Sequence, residues 1–277
     1  MTEIPKEEYV LKCTSACAGC PSSLILRYVL KAAGPDTVLV VPACCTSVIQ
    51  GSYPNTALNV PVYNIAFASA AACASGMSEA FQKAGEKTNV IVYAGDGGTV
   101  DIGIQALSGA FERETEFLYI CYDNEAYGNT GMQRSGSTPV GARTTTTPGG
   151  KIHAKKDLDA IVAAHNPSYL ATACAAYPQD LFKKVGKALS LRGSKFIHVL
   201  APCPPGWRFS SANRRHHEAG NGDSESYGWY RTFFSDTRQF DPGRHGPNHG
   251  MRFRVAGTLG STPEKRQKQR SDFSGIS

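Results

Sequence analysis

Asp96 and Asn124 are the first candidates for chemistry, because each follows an apolar, strand-like segment and carries an oxygen that suits a hard cation. Asp96 lies in the turn Gly95-Asp96-Gly97-Gly98 after the segment VIVYA, and Asn124 ends the segment FLYICYDN. Two adjacent parallel strands would bring both side chains to one edge of a sheet. Mg²⁺ prefers octahedral oxygen ligation and usually takes one or two carboxylates, with phosphates and carbonyls completing its shell. An Asp, an Asn and a backbone carbonyl of the following loop meet that demand.

The glycines around Asp96 predict a turn that binds phosphate. Gly95, Gly97 and Gly98 allow the chain to turn sharply and the backbone to approach a phosphate closely. A helix predicted from Asp101 to Glu114 follows, and the N–H groups and positive dipole at its start face the same place. Gly-Asp-Gly alone is most often an ordinary turn. Together with the strand, the helix and the Asn-containing second loop, it predicts a site for thiamine diphosphate and Mg²⁺.

The cysteines form a second group of candidates. Cys17 and Cys20 make a CxxC motif with Cys13 four residues upstream, whereas Cys45 and Cys203 each follow a strand-like segment. A CxxC motif by itself fits a zinc site, a redox pair or part of an iron–sulfur site. Four thiolates from three such segments can converge on one [4Fe–4S] cluster, which requires Cys₄ ligation.

The positions of the other cysteines and the lack of a recognisable signal peptide indicate in which cellular compartment the protein is expected. Cys73, Cys121 and Cys174 lie within apolar helix or strand patterns, where a free cysteine usually packs as a small core residue. We find neither a signal peptide nor a long apolar span, so we expect free thiols in a reducing cytoplasm rather than a disulfide framework or a membrane protein.

Alternating strand and helix patterns predict an α/β domain over residues 1–211, with a parallel sheet covered by helices on both faces. Asp101 and Asp157 are the predicted starting residues of two of the helices. The predicted strands are Thr37 to Ala43, Asn89 to Asp96, Phe117 to Asn124, Tyr169 to Ala175 and Lys195 to Ala201. The predicted helices are Ser22 to Ala33, Phe67 to Ala84, Asp101 to Glu114, Leu158 to His165 and Pro178 to Leu191.

The segment from Gly95 to Gly141 and its continuation resemble the β subunit of 2-oxoacid:ferredoxin oxidoreductases, most closely the pyruvate type. The segments that carry the resemblance are GDGGTVDIG, DNEAYGNTG, MQRSGSTPVGA and TTPGGK. The resemblance implies that Asp96, Asn124 and the carbonyl of Ala126 bind Mg²⁺, and that Asn129 and Thr130 lie against the thiamine diphosphate. It also implies which thiols hold a [4Fe–4S] cluster, namely Cys17, Cys20, Cys45 and Cys203, with Cys13 and Cys44 outside the ligand set.

The same resemblance implies an activity. It is the thiamine-dependent oxidative decarboxylation of pyruvate to acetyl-CoA and CO₂, or the reverse synthesis, with electrons passing through the cluster to ferredoxin. Coenzyme A accepts the acyl group, and α, γ and δ-type subunits complete the enzyme. The carboxylate beside the aminopyrimidine belongs to a partner subunit in this family, so we expect the chain to be inactive alone. No catalytic side chain is assigned here, with Asn129 as the one candidate.

Several alternatives remain open from the sequence. The substrate could instead be 2-oxoisovalerate, 2-oxoglutarate or oxalate. A non-redox thiamine carboligase would explain Asp96 and Asn124 but not the cysteine set, and a zinc-bound structural module would explain the cysteines alone. Arg143 could bind a substrate carboxylate or a coenzyme A phosphate; the simpler interpretation is a solvent-exposed cation in a loop. The run Lys151, Lys155 and Lys156 is typical of a solvated face.

Residues 212–277 differ in composition from the rest of the chain. The segment after Trp207 carries most of the net charge of +6 and shows no sustained apolar period. Interleaved Arg and aromatic residues fit a nucleic-acid arm, but low-hydrophobicity segments of this kind are more often disordered, and we expect no nucleic-acid partner. The family resemblance fades at about Asn213, so a change of reading frame is a further hypothesis for this irregular tail.

Overall fold

The central element is a sheet whose six main strands are all parallel. The computed structural model describes residues 4–12 and 14–210, together with the backbone of residues 239–240. The strands are β1 (Thr37–Pro42), β2 (Val62–Ile65), β3 (Asn89–Gly95), β4 (Leu118–Asp123), β5 (Ala126–Tyr127), β6 (Gln133–Arg134), β7 (Tyr169–Cys174), β8 (Lys195–Leu200) and β9 (Gln239–Phe240). The order in the main sheet is β2-β1-β3-β4-β8-β7-β9, and β5 and β6 form a separate antiparallel pair.

Seven helices and one π-helical turn connect these strands within the described part of the chain. The helices are α1 (Pro21–Ala33), α2 (Cys45–Ile49), α3 (Ala70–Ala84), α4 (Ile104–Glu112), α5 (Leu158–Ala163), α6 (Pro178–Leu189) and α7 (Pro204–Trp207), and the π-helical turn spans Gly97–Asp101. Pro21 and Pro178 stand at the starts of α1 and α6, where a missing N–H costs nothing. The Asp157 side chain accepts a hydrogen bond from the Ala160 N–H at 3.0 Å, which confirms Asp157 as the predicted start of α5.

The two faces of the sheet are covered by different helices, as the sequence predicts. Alternate residues of a strand point to opposite faces. On β1, Leu39 and Val41 pack into the core cluster formed with α1 and α6. Val38 and Val40 pack into the other cluster, formed with α3, α4 and α5. The apolar side chains of the sheet are therefore buried on both sides, which is the usual condition of a parallel sheet.

Several local features differ from the sequence predictions, and the short elements α7, β5 and β6 are among those not predicted. Strand β2 was not predicted, because its short VYNI segment is only partly buried and lacks a long apolar run. Helix α2 was not predicted either. Asp101 does not cap a helix; it ends the π-helical turn, and its carboxylate accepts hydrogen bonds from Gly136 N and Tyr127 Oη at 2.9 Å.

The predicted tail lies almost entirely outside the described residues. Its described part is β9, which pairs in the antiparallel direction with β7, Leu170 opposite Phe240 and Ala171 opposite Gln239.

The strand order reverses between β1 and β3. The chain leads from β1 to β2 at one edge of the sheet, whereas from β3 it leads in the other direction to β4. In open parallel sheets, ligands bind in the crevice outside the carboxyl ends of the strands at such a reversal. Asp96 comes directly after β3 and Cys45 soon after β1, so both predicted site segments lie at this edge.

Candidate functional site

Asp96 is a buried carboxylate at the carboxyl end of β3. Its side chain is shielded from solvent, and Ser135 Oγ donates a hydrogen bond to its Oδ2 at 2.5 Å. Burial and the negative charge of Asp123 raise the pKa of Asp96 well above its usual range. A divalent cation would offset both effects and keep the carboxylate ionised. The environment of Asp96 therefore fits the predicted Mg²⁺ ligand.

Asn124 follows β4 at the same edge, since Gly95 and Tyr122 pair in adjacent strands. Its Oδ1 accepts a hydrogen bond from Ala126 N at 3.1 Å, and its backbone carbonyl accepts one from Trp207 Nε1 at 2.8 Å. An amide oxygen has two lone pairs, so Oδ1 retains the capacity to bind a cation.

The glycine turn after β3 is packed closely against aromatic rings. A Cβ atom at Gly97 would overlap the ring of Tyr127, and one at Gly98 would lie 3.1 Å from Phe67 Cε2. Only residues without a side chain fit at positions 97 and 98 without displacing these rings. The backbone of Gly97 and Gly98 is buried and directly follows Asp96, the predicted Mg²⁺ ligand.

The four predicted cluster cysteines lie together. One cavity is lined by Cys17, Cys20, Cys45 and Cys203 and also by Asn124 and Asn129. Within the described residues, no group of three or more His, Cys, Asp or Glu side chains is positioned to hold a single metal ion. The four thiols therefore surround a shared space next to the Asn124 loop, without the close spacing of a single-ion site.

The thiols affect one another electrostatically. Burial, followed by the neighbouring Cys44, Cys203, Cys20 and Cys17, raises the pKa of Cys45 to about 12. Burial also raises the pKa of Cys203. Thiols in this state stay protonated unless a metal binds them, because a coordinating thiol is deprotonated by its metal.

The other described cysteines differ in burial. Cys121 is fully buried in the sheet, whereas Cys73 and Cys174 are partly buried. The core prediction is therefore confirmed for Cys121 and holds in part for the other two. Cys44 is partly buried against the core that contains α1, and Cys13 lies outside the described residues.

The loop after Ala126 carries the two residues predicted to contact thiamine diphosphate. Ala126 is buried and pairs with Arg134 in the β5–β6 hairpin. Asn129 and Thr130 are exposed. Thr130 Oγ1 donates a hydrogen bond to Gln133 Oε1 at 2.5 Å, and Asn129 lines the cysteine cavity.

A second cavity of about 660 Å³ opens at the carboxyl ends of β1 and β2. Its lining combines apolar side chains with the neutral polar residues Ser47, Gln50 and Asn64. Among the described residues, the buried Gln50 Oε1 has no hydrogen-bond partner. This cavity supplies uncharged surface beside helix α2, which begins at Cys45.

Two of the three lysines predicted to be solvated take part in buried contacts, so that prediction was wrong for them. Lys151 is buried and its Nζ donates to the carbonyls of Gly136 and Thr138. Lys155 Nζ lies 3.2 Å from Asp123 Oδ2 and 2.9 Å from Glu125 Oε1. A run of like charges in a sequence does not reveal the carbonyls and carboxylates that the fold places around it. Arg143 is exposed.

His198 extends this network on the other side of Asp123. Its Nε2 lies 2.9 Å from Asp123 Oδ2, and its Nδ1 lies 3.0 Å from Asp159 Oδ1. The two carboxylates outweigh the cost of burying the charged ring and raise the pKa of His198 to about 10. The surrounding cations hold the pKa of Asp123 below its usual range.

Several site residues were not predicted as such. Ser135 lies in the segment MQRSGSTPVGA, which carries the family resemblance, and Trp207 lies in PPGW after Cys203. Nothing in the sequence indicates that they contact Asp96 and Asn124. His198 lies in the β8 segment KFIHVL, where a single polar residue among apolar ones is the available signal.

Comparison with known proteins identifies the class to which the fold and site belong. Residues 43–199 match the family described as the thiamine pyrophosphate enzyme, C-terminal TPP-binding domain. This match spans more than half of the chain and includes Asp96 and Asn124, so the domain is a thiamine pyrophosphate-binding domain.

Individual relatives narrow the class. The ketoisovalerate oxidoreductase subunit VorB of Pyrococcus abyssi is 51% identical over 216 residues, which cover 74% of this chain and 70% of the relative. The pyruvate synthase subunit PorB of Methanocaldococcus jannaschii is 50% identical over 220 residues, which cover 75% of this chain and 74% of the relative. The chain belongs to the family of 2-oxoacid:ferredoxin oxidoreductase β subunits.

A solved structure agrees with this fold. The 2-oxoglutarate:ferredoxin oxidoreductase from Magnetococcus marinus, with 2-oxoglutarate, coenzyme A and succinyl-CoA bound, superimposes with a TM-score of 0.65 at 20% identity. The similarity covers 79% of this chain and 76% of that chain. In the described part of this chain, none of the helices has the length and hydropathy needed to cross a bilayer.

Proposed function

We propose that this chain is the thiamine- and cluster-binding subunit of a cytoplasmic pyruvate:ferredoxin oxidoreductase. The reaction cleaves the bond between the carboxylate and carbonyl carbons of pyruvate, transfers the acetyl group to coenzyme A and releases CO₂. The coenzyme A thiol would release its proton as the thioester forms, and a [4Fe–4S] cluster, when bound, would supply one-electron transfer of the two released electrons to ferredoxin; the reverse reaction would make pyruvate.

The observation that carries this proposal is the single cavity lined by four cysteines and by Asn124 and Asn129. A non-redox thiamine enzyme has no use for thiols beside its cofactor loop, and a zinc module has no use for Asp96 and Asn124. An enzyme that removes electrons from a thiamine-bound substrate needs both sets of residues close together. The shared cavity is therefore expected of an electron-transferring thiamine enzyme.

The chain's residues have distinct tasks in this proposal. Asp96, Asn124 and the carbonyl of Ala126 would hold Mg²⁺, and the buried Gly97–Gly98 backbone would leave room for the diphosphate. Cys17, Cys20, Cys45 and Cys203 hold the cluster, while Asn129 and Thr130 border the cofactor. Bound thiamine diphosphate supplies a nucleophilic carbon and accepts the electrons left when CO₂ departs.

Partner subunits complete the enzyme in this proposal. The carboxylate beside the aminopyrimidine comes from a subunit with the pyrimidine domain, so the isolated chain is inactive. Reconstitution with α, γ and δ-type subunits should produce activity. Activity of the isolated chain would contradict this part of the proposal.

The decisive experiment compares two adjacent thiols in the complex purified without oxygen. Wild-type complex should be brown and contain iron, inorganic sulfide and thiamine diphosphate. Cys45→Ala should lose iron, whereas Cys44→Ala is the matched control and should retain it, because a [4Fe–4S] cluster depends on its coordinating thiolates. Zinc without iron in the wild type would favour a structural module, and iron loss in Cys44→Ala alone would reverse the ligand assignment.

A second candidate substrate is 2-oxoisovalerate, because the ketoisovalerate oxidoreductase subunit VorB is 51% identical to this chain and the pyruvate synthase subunit PorB is 50% identical. The ratio of kcat/KM for the two acids, measured by acyl-CoA formation and viologen reduction, decides between them. Pyruvate should give the higher value. Decarboxylation without reduction of viologen or ferredoxin would instead indicate a carboligase.

A further inference from the structure

Glu125 adopts an unusual backbone conformation between two predicted Mg²⁺ ligands. Its φ angle is 65°, in the left-handed region that residues with a Cβ atom rarely occupy. Asn124 precedes it and Ala126 follows it, so its backbone angles determine how the Asn124 side chain and the Ala126 carbonyl are presented. Unfavourable conformations of this kind persist where surrounding contacts enforce them.

Three contacts enforce the conformation of Glu125. Its N–H donates to Asp123 Oδ1 at 2.8 Å, and its carbonyl accepts from Thr138 Oγ1 at 2.5 Å. Its carboxylate accepts from Lys155 Nζ at 2.9 Å. The backbone is therefore held on both sides of the left-handed residue, and the side chain is held as well.

These contacts depend on cations that offset two buried carboxylates. Asp123 and Glu125 flank Asn124, and their side chains are 0% and 7% exposed. Lys155 contacts both carboxylates. His198 contacts Asp123 through Nε2 and Asp159 through Nδ1, which makes both ring nitrogens donors and the ring an imidazolium.

We propose that Lys155 and His198 are positioning residues that hold the Asn124–Ala126 turn in the geometry that binds Mg²⁺. The inference rests on the proposed function, because it takes Asn124 and Ala126 as ligands. Without Lys155, two buried carboxylates on either side of Asn124 repel each other and lose their shared donor. The turn then relaxes away from the left-handed conformation, and the two ligand oxygens lose their placement.

The test measures the Mg²⁺ concentration that gives half-saturation of thiamine diphosphate binding, by equilibrium dialysis on the assembled complex. Lys155→Gln should raise this concentration by about 10- to 100-fold, the usual effect of removing a residue that supports a metal ligand. Lys155→Arg retains the charge and should restore binding to within a few fold of wild type. His198→Gln removes the other cation and should raise the half-saturating Mg²⁺ concentration severalfold. This variant tests the proposal even if the Lys155→Gln complex does not assemble.

Lys184→Gln is the matched control, because Lys184, like Lys155, bonds a carboxylate through Nζ, but its partners are Asp180 and the Thr172 carbonyl and not the residues that flank Asn124. It should lower the unfolding temperature without changing the Mg²⁺ requirement. A double variant, Lys155→Gln with Glu125→Gly, should recover part of the lost affinity, because glycine adopts the left-handed angle without strain and one of the two carboxylates that Lys155 contacts is removed as well.

The possible outcomes distinguish the positioning role of Lys155 and His198 from the proposed function. If wild-type complex binds thiamine diphosphate in a Mg²⁺-dependent way and both Lys155→Gln and His198→Gln do the same at wild-type concentrations, the positioning role is overturned while the proposed function stands. An equal change in Lys184→Gln would also overturn it. Absence of Mg²⁺-dependent binding in the wild type would overturn the proposed function together with this inference.

Discussion

At the scale of single residues, the candidate site depends on one buried carboxylate. Asp96→Ala should abolish retention of thiamine diphosphate by the purified complex, because Mg²⁺ would lose its anionic protein ligand. Asn124→Ala should weaken retention less, since it removes a neutral ligand. Ser135→Ala removes one hydrogen bond to Asp96 and should have the mildest effect. Thiamine content per complex measures all three, and normal content in Asp96→Ala would refute the assignment.

His198 provides a prediction about pH. Its pKa is raised to about 10 in the folded chain, against about 6.5 for an unperturbed histidine. The protonated ring therefore stabilises the fold fully below about pH 6.5, and this contribution is lost as the pH rises toward about 10. Thermal unfolding of the isolated subunit should show a wild-type advantage over His198→Gln that shrinks across this interval. An advantage that stays constant with pH would contradict the ionic account.

At the scale of elements, the π-helical turn Gly97–Asp101 packs closely against Tyr127 of the β5–β6 hairpin. Gly97→Ala would push a methyl group into the Tyr127 ring and should cost about 1–3 kcal/mol of stability, as overpacking usually does. It should also reduce thiamine retention, because Asp96 directly precedes Gly97 and would shift with it.

Gly109→Ala in α4 is the control for this substitution. A Cβ atom there meets Arg113 Nη1 at an ordinary 3.6 Å, and alanine suits a helix better than glycine by roughly 0.5–1 kcal/mol. We therefore expect Gly109→Ala to be neutral or stabilising and to keep its thiamine. Denaturant unfolding measures both variants, and equal losses would show that the Tyr127 contact is not the cause.

The main strands could be predicted from the sequence because their apolar runs are long and bounded by turns. Elements β2 and α2 could not, since a four-residue strand at the sheet edge and a five-residue helix lack a distinguishing period. Asp96, Asn124 and the cysteines were identifiable from their types and from their positions after strands. Lys155 and Ser135 were not, because their roles depend on loops that meet only in the folded chain.

At the scale of the whole molecule, the described domain should stand without the tail. All six parallel strands and their covering helices lie within residues 4–210, and β9 adds two residues at the edge of β7. Deletion of Ala212 to Ser277 should leave a folded domain, because about 200 residues suffice for a sizeable core. Limited proteolysis of the full chain should give a stable fragment of about the first 210 residues. Resistance throughout the tail would overturn this expectation.

The sheet order also bears on when the cysteine cavity is completed during synthesis. Cys17 and Cys20 emerge early from the ribosome, whereas Cys203 follows β8, which inserts between β4 and β7 after both of them have been made. Cys17 and Cys20 are therefore synthesised long before the four-cysteine cavity can form. Cys203 reaches the cavity only after β8 has inserted between β4 and β7. A metal group bound by all four thiols would then be acquired only after the parallel sheet is complete. Nascent chains stopped before β8 should therefore take up no iron.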